Sequence, residues 1–310
     1  MESLLLSFNA IMPIFLLMLL GYFLKQKNLA TKENFNAINK LVFKVFLPVL
    51  LFKNIYDTDL SQAFDWKLIA FSAAGVLLIF AVGTLLVPRL TPLDSRRGVM
   101  LQGLFRSNYA ILGLPLVEFI CGSAAVASAM VAVVIPIFNV LAVVSLERYR
   151  GGKVSPGKLL KGIATNPLIL GCALGAVLLL LNLRLPAFLE KAVSDVAKIA
   201  SPLAMVALGA SFTFSSVKGC LKELIITVSS RLILVPLVTL TAAILLGFRG
   251  EHLACLLIIF GAPTAVSSFS MAQQMGGDEQ LAAQIVVVSS GLCLATLFVW
   301  IFALNALGLF

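Results

Sequence analysis

The chain has 310 residues, 60% of them hydrophobic and 12% charged, with a formal net charge of +9. Soluble domains are about 25% charged, so a water-soluble fold of this length could not cover its surface. The basic excess does not point to nucleic acid, because it gathers in alternate loops of a mostly apolar chain.

Ten apolar segments follow one another, and a helix needs roughly 20 residues to cross a bilayer core. They fall near 4–24, 36–56, 67–87, 99–120, 124–146, 165–182, 188–213, 221–247, 253–275 and 280–306. The first has no basic stretch before it and no small-residue cleavage site after it, so it reads as a retained span and not a signal peptide. Lys25, Lys27 and Lys32 follow it; Arg89, Arg96 and Arg97 follow the third. Arg148, Arg150, Lys153, Lys158 and Lys161 follow the fifth, and Lys218, Lys222 and Arg231 the seventh. The opposite loops hold Lys53, Lys67, Arg184, Lys191 and Arg249 beside Asp57, Asp59 and Asp65. This positive-inside pattern makes the first set cytoplasmic and puts both termini outside. Asp278 and Glu279 run against it, although acidic residues carry little weight in the rule. The loops leave no room for a soluble domain. Cys121, Cys172, Cys220, Cys255 and Cys293 lack metal-site spacing and read as small buried hydrophobes.

Sliding the chain so that Pro13 falls on Pro167 also brings Gly21 onto Gly175, Lys44 onto Lys198 and Pro48 onto Pro202. Further on, Gly122 meets Gly276 and Val133-Val134 meets Val287-Val288, while the match fades around segments three and eight. The expected organisation is a repeat at 1–150, a cytoplasmic linker at 151–164 and a second repeat at 165–310. Five is odd, so the second copy enters the membrane from the other side and the repeats are inverted. Inverted repeats are typical of secondary transporters, whose substrate site lies near mid-membrane where the repeats meet.

Discontinuous helices point to such a site. Segment four carries Arg106-Ser107-Asn108-Tyr109 followed by Gly113-x-Pro115; segment nine carries Gly261-Ala262-Pro263-Thr264 followed by Ser267-Ser268. Proline removes a backbone donor and disfavours helix before it, and glycine tolerates irregular angles. The repeat register sets Asn108-Tyr109 opposite Ala262-Pro263. A half-helix that begins at mid-membrane offers free N–H groups to an anion. Candidate substrate-binding residues are therefore Arg106, Ser107, Asn108, Tyr109, Gly113, Pro115, Ala262, Pro263, Thr264 and Ser267. Arg106 has an alternative: it lies close enough to the cytoplasmic end to snorkel. Lys40, Lys44 and Lys198 read as snorkelling residues, while Asn9, Asn139 and Asn166 fit either a site or helix–helix packing. Gly171-x-x-x-Gly175 is a close-packing motif.

Enzyme chemistry finds no footing. The one histidine is His252, which rules out HExxH and Ser-His-Asp sites, and no glycine-rich loop with a lysine cradles phosphate. Gly276-Gly277-Asp278 faintly suggests an intramembrane aspartyl protease but lacks a second aspartate within a span. No metal or cofactor is expected.

Pro13 to Tyr22, Asn39 to Phe43 running on to Pro48, Asn108 to Pro115, Ala262 to Ala265 and Gly276 to Ala283 together resemble the auxin efflux carrier family in its bacterial branch. Ser289-Ser290 departs from the expected Ser-Thr pair. The resemblance implies a fold related to the bile-acid sodium symporters: an all-α membrane protein of ten transmembrane helices in two inverted five-helix repeats, with helices four and nine broken and crossing. Helices one, two, six and seven would form a scaffold, dimeric through helices two and seven. Helices three to five and eight to ten would form the moving transport unit. It implies an inner-membrane carrier of small organic anions, auxin-like or malate- and malonate-like carboxylates, working by an elevator motion. A cation-coupled symporter is the alternative within transport. A transporter-like ligand sensor is the alternative outside it, although a sensor would be expected to carry an output domain and the chain ends at Phe310 directly after segment ten.

The charge pattern sets the orientation test. Single cysteines introduced at Ser3 and Ser155 are exposed in intact cells to an impermeant thiol reagent. Labelling is expected at the first and not the second; labelling at Ser155 alone reverses the topology.

Overall fold

The computed structural model describes residues 2–58, 65–150 and 156–310, and the described segments are helical with short connections. Asp59, Lys153, Ser155 and the side chain of Asn9 lie outside the described residues. The helices are α1 (Glu2–Gln26), α2 (Lys32–Leu41), α3 (Leu47–Tyr56), α4 (Trp66–Leu90), α5 (Asp94–Phe105), α6 (Tyr109–Cys121), α7 (Ala125–Arg148) and α8 (Pro156–Ala164). They continue with α9 (Pro167–Leu180), α10 (Ala187–Ser211), α11 (Leu221–Ser229), α12 (Val235–Leu245), α13 (Gly250–Gly261), α14 (Ser267–Gln274) and α15 (Glu279–Ala306). A π-helical turn at Val42–Phe46 joins α2 to α3, and another at Ser230–Leu234 joins α11 to α12.

Among the described residues six stretches are long and apolar enough to cross a membrane: Lys32–Tyr56, Trp66–Leu90, Ala125–Arg148, Ala187–Ser211, Val217–Leu245 and Glu279–Ala306. The other expected segments contain shorter apolar helices, Met12–Gln26, Ile111–Cys121, Pro167–Leu180 and Gly250–Gly261. Segments four and nine are short because each is split in two, at α5/α6 and α13/α14. The expected linker contains a short helix, α8.

Starts are set by polar caps that take up orphan N–H groups. Asp65 accepts from Lys67 N at 2.7 Å before α4, Asn166 from Leu168 N at 3.0 Å before α9, and Asp278 from Leu281 N at 3.0 Å before α15. Asp278 also receives the Arg96 guanidinium at 3.0 Å, and Arg96 donates to Glu223 at 2.9 Å. The acidic residue that broke the loop-charge trend is thus spent on a cap and an ion pair joining α5, α11 and α15.

Leu77, Leu78, Leu85, Leu180, Leu245 and Phe302 stand exposed on the outside of the bundle. In water they would form an adhesive surface; against hydrocarbon they carry no penalty. Lipid gives helices little hydrophobic reason to associate, so close packing has to supply it. Glycines provide that closeness at two crossings. On α1 and α10, a Cβ at Gly21 would collide with the Val206 carbonyl, and one at Gly209 with the Met18 carbonyl. On α3 and α9, Gly171 meets the Pro48 carbonyl, and a Cβ at Gly175 would lie 2.7 Å from Phe52 O. Proline elsewhere frees a carbonyl that another group must take. Pro236 cannot donate back to Leu232, and the Trp300 indole N–H donates to that carbonyl at 3.1 Å.

The α1–α10 contact makes a stability prediction. Gly209→Val forces two backbones apart and is expected to cost about 1–3 kcal/mol, the range for overpacked sites, read as a lower melting temperature in detergent. Gly219→Ala, where a Cβ meets nothing within 4 Å, is expected to melt with the parent. Equal melting of both variants would show that the close approach is not required.

Candidate functional site

α5 stops at Phe105 and α6 begins at Tyr109; α13 stops at Gly261 and α14 begins at Ser267. In the second gap Pro263 holds Ala262 in extended geometry, φ −70° and ψ 158°. The two gaps lie side by side as an antiparallel bridge between Ser107 and Thr264. Asn108 N donates to Pro263 O at 2.9 Å, and Ala265 N to Arg106 O at 3.3 Å. Hydroxyls reach across in both directions: Ser107 Oγ donates to Ile258 O of α13 at 2.9 Å, and Thr264 Oγ1 to Gly103 O of α5 at 3.2 Å. The two gaps thereby satisfy part of each other's backbone, as burial away from water demands.

Arg231 completes the crossing. Its Nε donates to Ala262 O at 2.8 Å, Nη2 to Ile259 O at 2.9 Å, and Nη1 to Leu104 O and Phe105 O, each at 3.3 Å. One guanidinium therefore caps the C-terminal ends of α5 and α13, where the aligned peptide dipoles leave partial negative charge. The loop-charge count placed Arg231 with Lys218 and Lys222 in the cytoplasm; the structure corrects this, because its side chain is wholly buried. The missed signal was an arginine followed at once by Leu232-Ile233-Leu234, an intramembrane charge by position.

The N-terminal ends behave differently. Ser268 N donates to Ala265 O at 2.9 Å and Phe269 N to Val266 O at 3.1 Å, so the start of α14 is closed by its own turn. Asn108 precedes α6 without capping it through its side chain, and its Nδ2 is buried with no partner. Beside it, Arg106 is 2% exposed, which removes the snorkelling alternative. Its Nη2 donates to Asn139 Oδ1 at 2.8 Å and Ser267 Oγ at 2.9 Å, and its Nη1 touches the Met271 sulfur. Among the described residues no carboxylate pairs with it.

These groups face a cavity of about 60 Å³. Arg106, Ser107, Asn108, Asn139, Ser201 and Ser267 line it together with apolar Leu47, Leu50 and Leu51 of α3 and Phe138 of α7. Asn54 of α3 also borders a second cavity of about 160 Å³ that reaches Asp57, Thr58 and Ser128.

Of the ten residues expected to bind substrate, Arg106, Ser107, Asn108, Tyr109 and Ser267 converge on the first cavity. Ala262, Pro263 and Thr264 lie in the crossing itself, bonded to Arg231, Asn108 and Gly103. Gly113 packs against Tyr109 and Ile258, and Pro115 is exposed; α6 runs through both, so Gly113-x-Pro115 makes no break. A proline within a helix frees one carbonyl, and the rest of the ladder holds. Asn54 and Ser201 were missed, being lone polar residues without telling spacing. Lys40 and Lys44 are exposed as expected, and Asn166 serves as a cap.

Residues 6–301 match a family described as membrane transport protein. The chain is 25% identical over 305 residues to an uncharacterized transporter of Methanothermobacter thermautotrophicus, covering 95% of this chain and 97% of the relative. It is 24% identical over 280 residues to an uncharacterized transporter of Escherichia coli, covering 85% and 87%. To a Rhizobium meliloti protein named "Putative malonate transporter" it is 25% identical over 300 residues, covering 92% of each.

The capping role of Arg231 is open to substitution. A lysine concentrates its donors at one point and cannot serve carbonyls on both helices, and each buried carbonyl left unpaired costs about 1–3 kcal/mol. Melting temperatures are expected to fall in the order parent, Arg231→Lys, Arg231→Met. An Arg231→Met variant as stable as the parent would refute the cap.

Proposed function

The chain belongs to the membrane transport protein family, the auxin efflux carriers, and from that premise we propose that it is a secondary carrier of small organic anions, carboxylates first among them. One observation carries the substrate charge: a buried arginine without an acidic partner among the described residues, beside an orphan amide donor and a helix start without a side-chain cap, all on one cavity. A buried cation is costly unless compensated. A carboxylate would compensate it with two parallel hydrogen bonds to the guanidinium and would also satisfy Asn108 Nδ2. Arg106, Asn108 and Ser267 are the proposed contacts, with Ser107 and Tyr109 bordering them. Ala262, Pro263 and Thr264 hold the crossing that presents these contacts. The malonate-named relative fits a short carboxylate.

The proposed architecture is ten spans in two inverted repeats, moving as an elevator. The glycine crossings support it: the register that pairs Gly21 with Gly175 also pairs Val206 with Phe52, and Gly21 packs on Val206 as Gly175 packs on Phe52. The same contact between the halves is thus made twice, at positions related by the repeat register. In this reading α1, the α2–α3 rod, α9 and α10 form the scaffold, which would dimerise through the α2–α3 rod and α10. The other spans carry the crossing. The basic loops support both termini on the outer face, and the family resemblance supports a bacterial inner membrane.

Binding and uptake are measured with labelled dicarboxylates in proteoliposomes; uptake separates a carrier from a sensor. Arg106→Lys keeps the charge but loses the two-point grip, and Asn108→Ala removes the orphan donor. Each is expected to weaken apparent affinity roughly tenfold or more, the scale of a lost hydrogen bond to a charged group, with protein yield and melting near the parent. Unchanged affinity in both would withdraw the site.

A further inference from the structure

We infer that the cavity at the crossing takes its occupant as a monoanion, so that a dicarboxylate enters half-protonated and carries its own proton across. This rests on the carboxylate reading above. The charge count of the walls leads to it. Among the described residues Arg106 is the one cation lining the cavity, and its partners Asn139 and Ser267 are neutral. Asn108 adds a donor without adding charge. α3 contributes Leu47, Leu50, Leu51 and the uncharged Asn54 to the lining. A second ionised carboxylate would lie against that lining with no cation, a state that buried carboxyl groups escape by keeping their proton.

Among the described residues no neighbouring element turns a second charge into the cavity: Arg231 is taken up by the Leu104, Phe105, Ile259 and Ala262 carbonyls and does not line it. On α3, Lys53 donates to Asp57 at 2.7 Å beyond Asn54, at the far cavity. On α10, Lys198 is 74% exposed and lies 3.7 Å from Asp195. The Tyr109 hydroxyl at the start of α6 donates to Ala127 O at 3.0 Å. Glu118 of α6 and Glu251 of α13 lie at the other ends of those helices, and Glu251 accepts from Val126 N. Glu147 of α7 pairs with Arg150 at the end away from the cavity, and Arg96 and Arg97 sit at the distant start of α5. Cys172 of α9 is a buried thiol, and α14 carries no titratable side chain. Among the described residues no carboxylate lines the cavity to exchange a proton with the substrate. The proton therefore travels as the substrate's own carboxyl hydrogen, and no protein group gains or loses one.

Asn54 suits the uncharged end. Its amide offers one acceptor for a carboxyl O–H and a donor for the carboxyl C=O, adding no charge. The 60 Å³ of the cavity is room for about four or five waters, the bulk of a short-chain acid. Asn54 would then select for a protonated or amidated second end, a role separate from the anion grip of Arg106.

The test is equilibrium binding to the purified full chain in lipid nanodiscs, with labelled malonate and labelled malonamate, its half-amide. Malonamate stays a monoanion, whereas malonate loses its second proton across the pH range used. Apparent malonate affinity is expected to weaken about tenfold per pH unit above that ionisation, because the competent form is diluted by that factor, while malonamate affinity stays flat. Asn54→Leu is expected to weaken both ligands and to spare propionate, which has no second polar end. Malonate affinity that is flat or improves with pH makes the dianion the occupant and overturns the inference. Equal slopes for both ligands would assign the titration to the protein and overturn it too. Failure of all three acids to bind at any pH would remove the carboxylate reading itself, and the monoanion inference with it.

Discussion

Inside a bilayer, a helix that stops halfway leaves carbonyls on one side of the gap and N–H groups on the other, with no water to satisfy them. Two helices stop halfway here, and their carbonyl ends meet at Arg231. A guanidinium fits because its donors are spread over a plane wide enough to serve two helices at once. The π-helical turn at Ser230–Leu234 carries that side chain, and such turns are common where function disturbs a helix. Pro236 follows the turn and frees Leu232 O for Trp300. Helix, turn, arginine and indole thus form one chain of dependent hydrogen bonds, and the crossing stands on it.

Closing the carbonyl ends with a built-in cation leaves the other ends to be settled. α14 tightens its first turn with bonds from Ser268 N and Phe269 N, whereas α6 has no side-chain cap, and Asn108 has a spare donor. Arg106 adds positive charge on the same side. The crossing therefore has its negative poles neutralised by the protein and one positive pole left over. An anion is the complement of that arrangement, and its net charge need be no more than one.

Much of the helical layout was legible because apolar length and polar caps are local properties, and Asp65, Asn166 and Asp278 each mark a start. The second break was legible at Pro263, since proline acts on its immediate neighbours. The first was legible from the polar run Arg106-Ser107-Asn108, although Gly113-x-Pro115 misdirected attention within it. Arg231 was not legible from loop charges, because rotation of its side chain into the core depends on a π turn that composition does not encode. Asn54 and Ser201 come from α3 and α10, far apart in sequence, and only packing brings them to one cavity.

The paired contacts bear on how the molecule could move. Gly21 against Val206 and Gly175 against Phe52 place backbone on backbone. Such contacts have no side chains that could re-pack during sliding, so α1 with α10, and α3 with α9, should behave as rigid units. The crossing is rigid for a different reason, being closed by Arg231 and by reciprocal hydroxyl bonds. The cavity lies between these bodies, with α3 and α10 on one wall and the breaks on the other. Leu47, Leu50 and Leu51 of α3 give it apolar lining, while α2 is tied to α14 by Ser270 Oγ donating to Asn39 Oδ1 at 2.6 Å. In the proposed elevator the crossing would pass along these leucines and exchange the Asn39–Ser270 bond, so the proposed charge limit and the proposed sliding path share the same α3 lining.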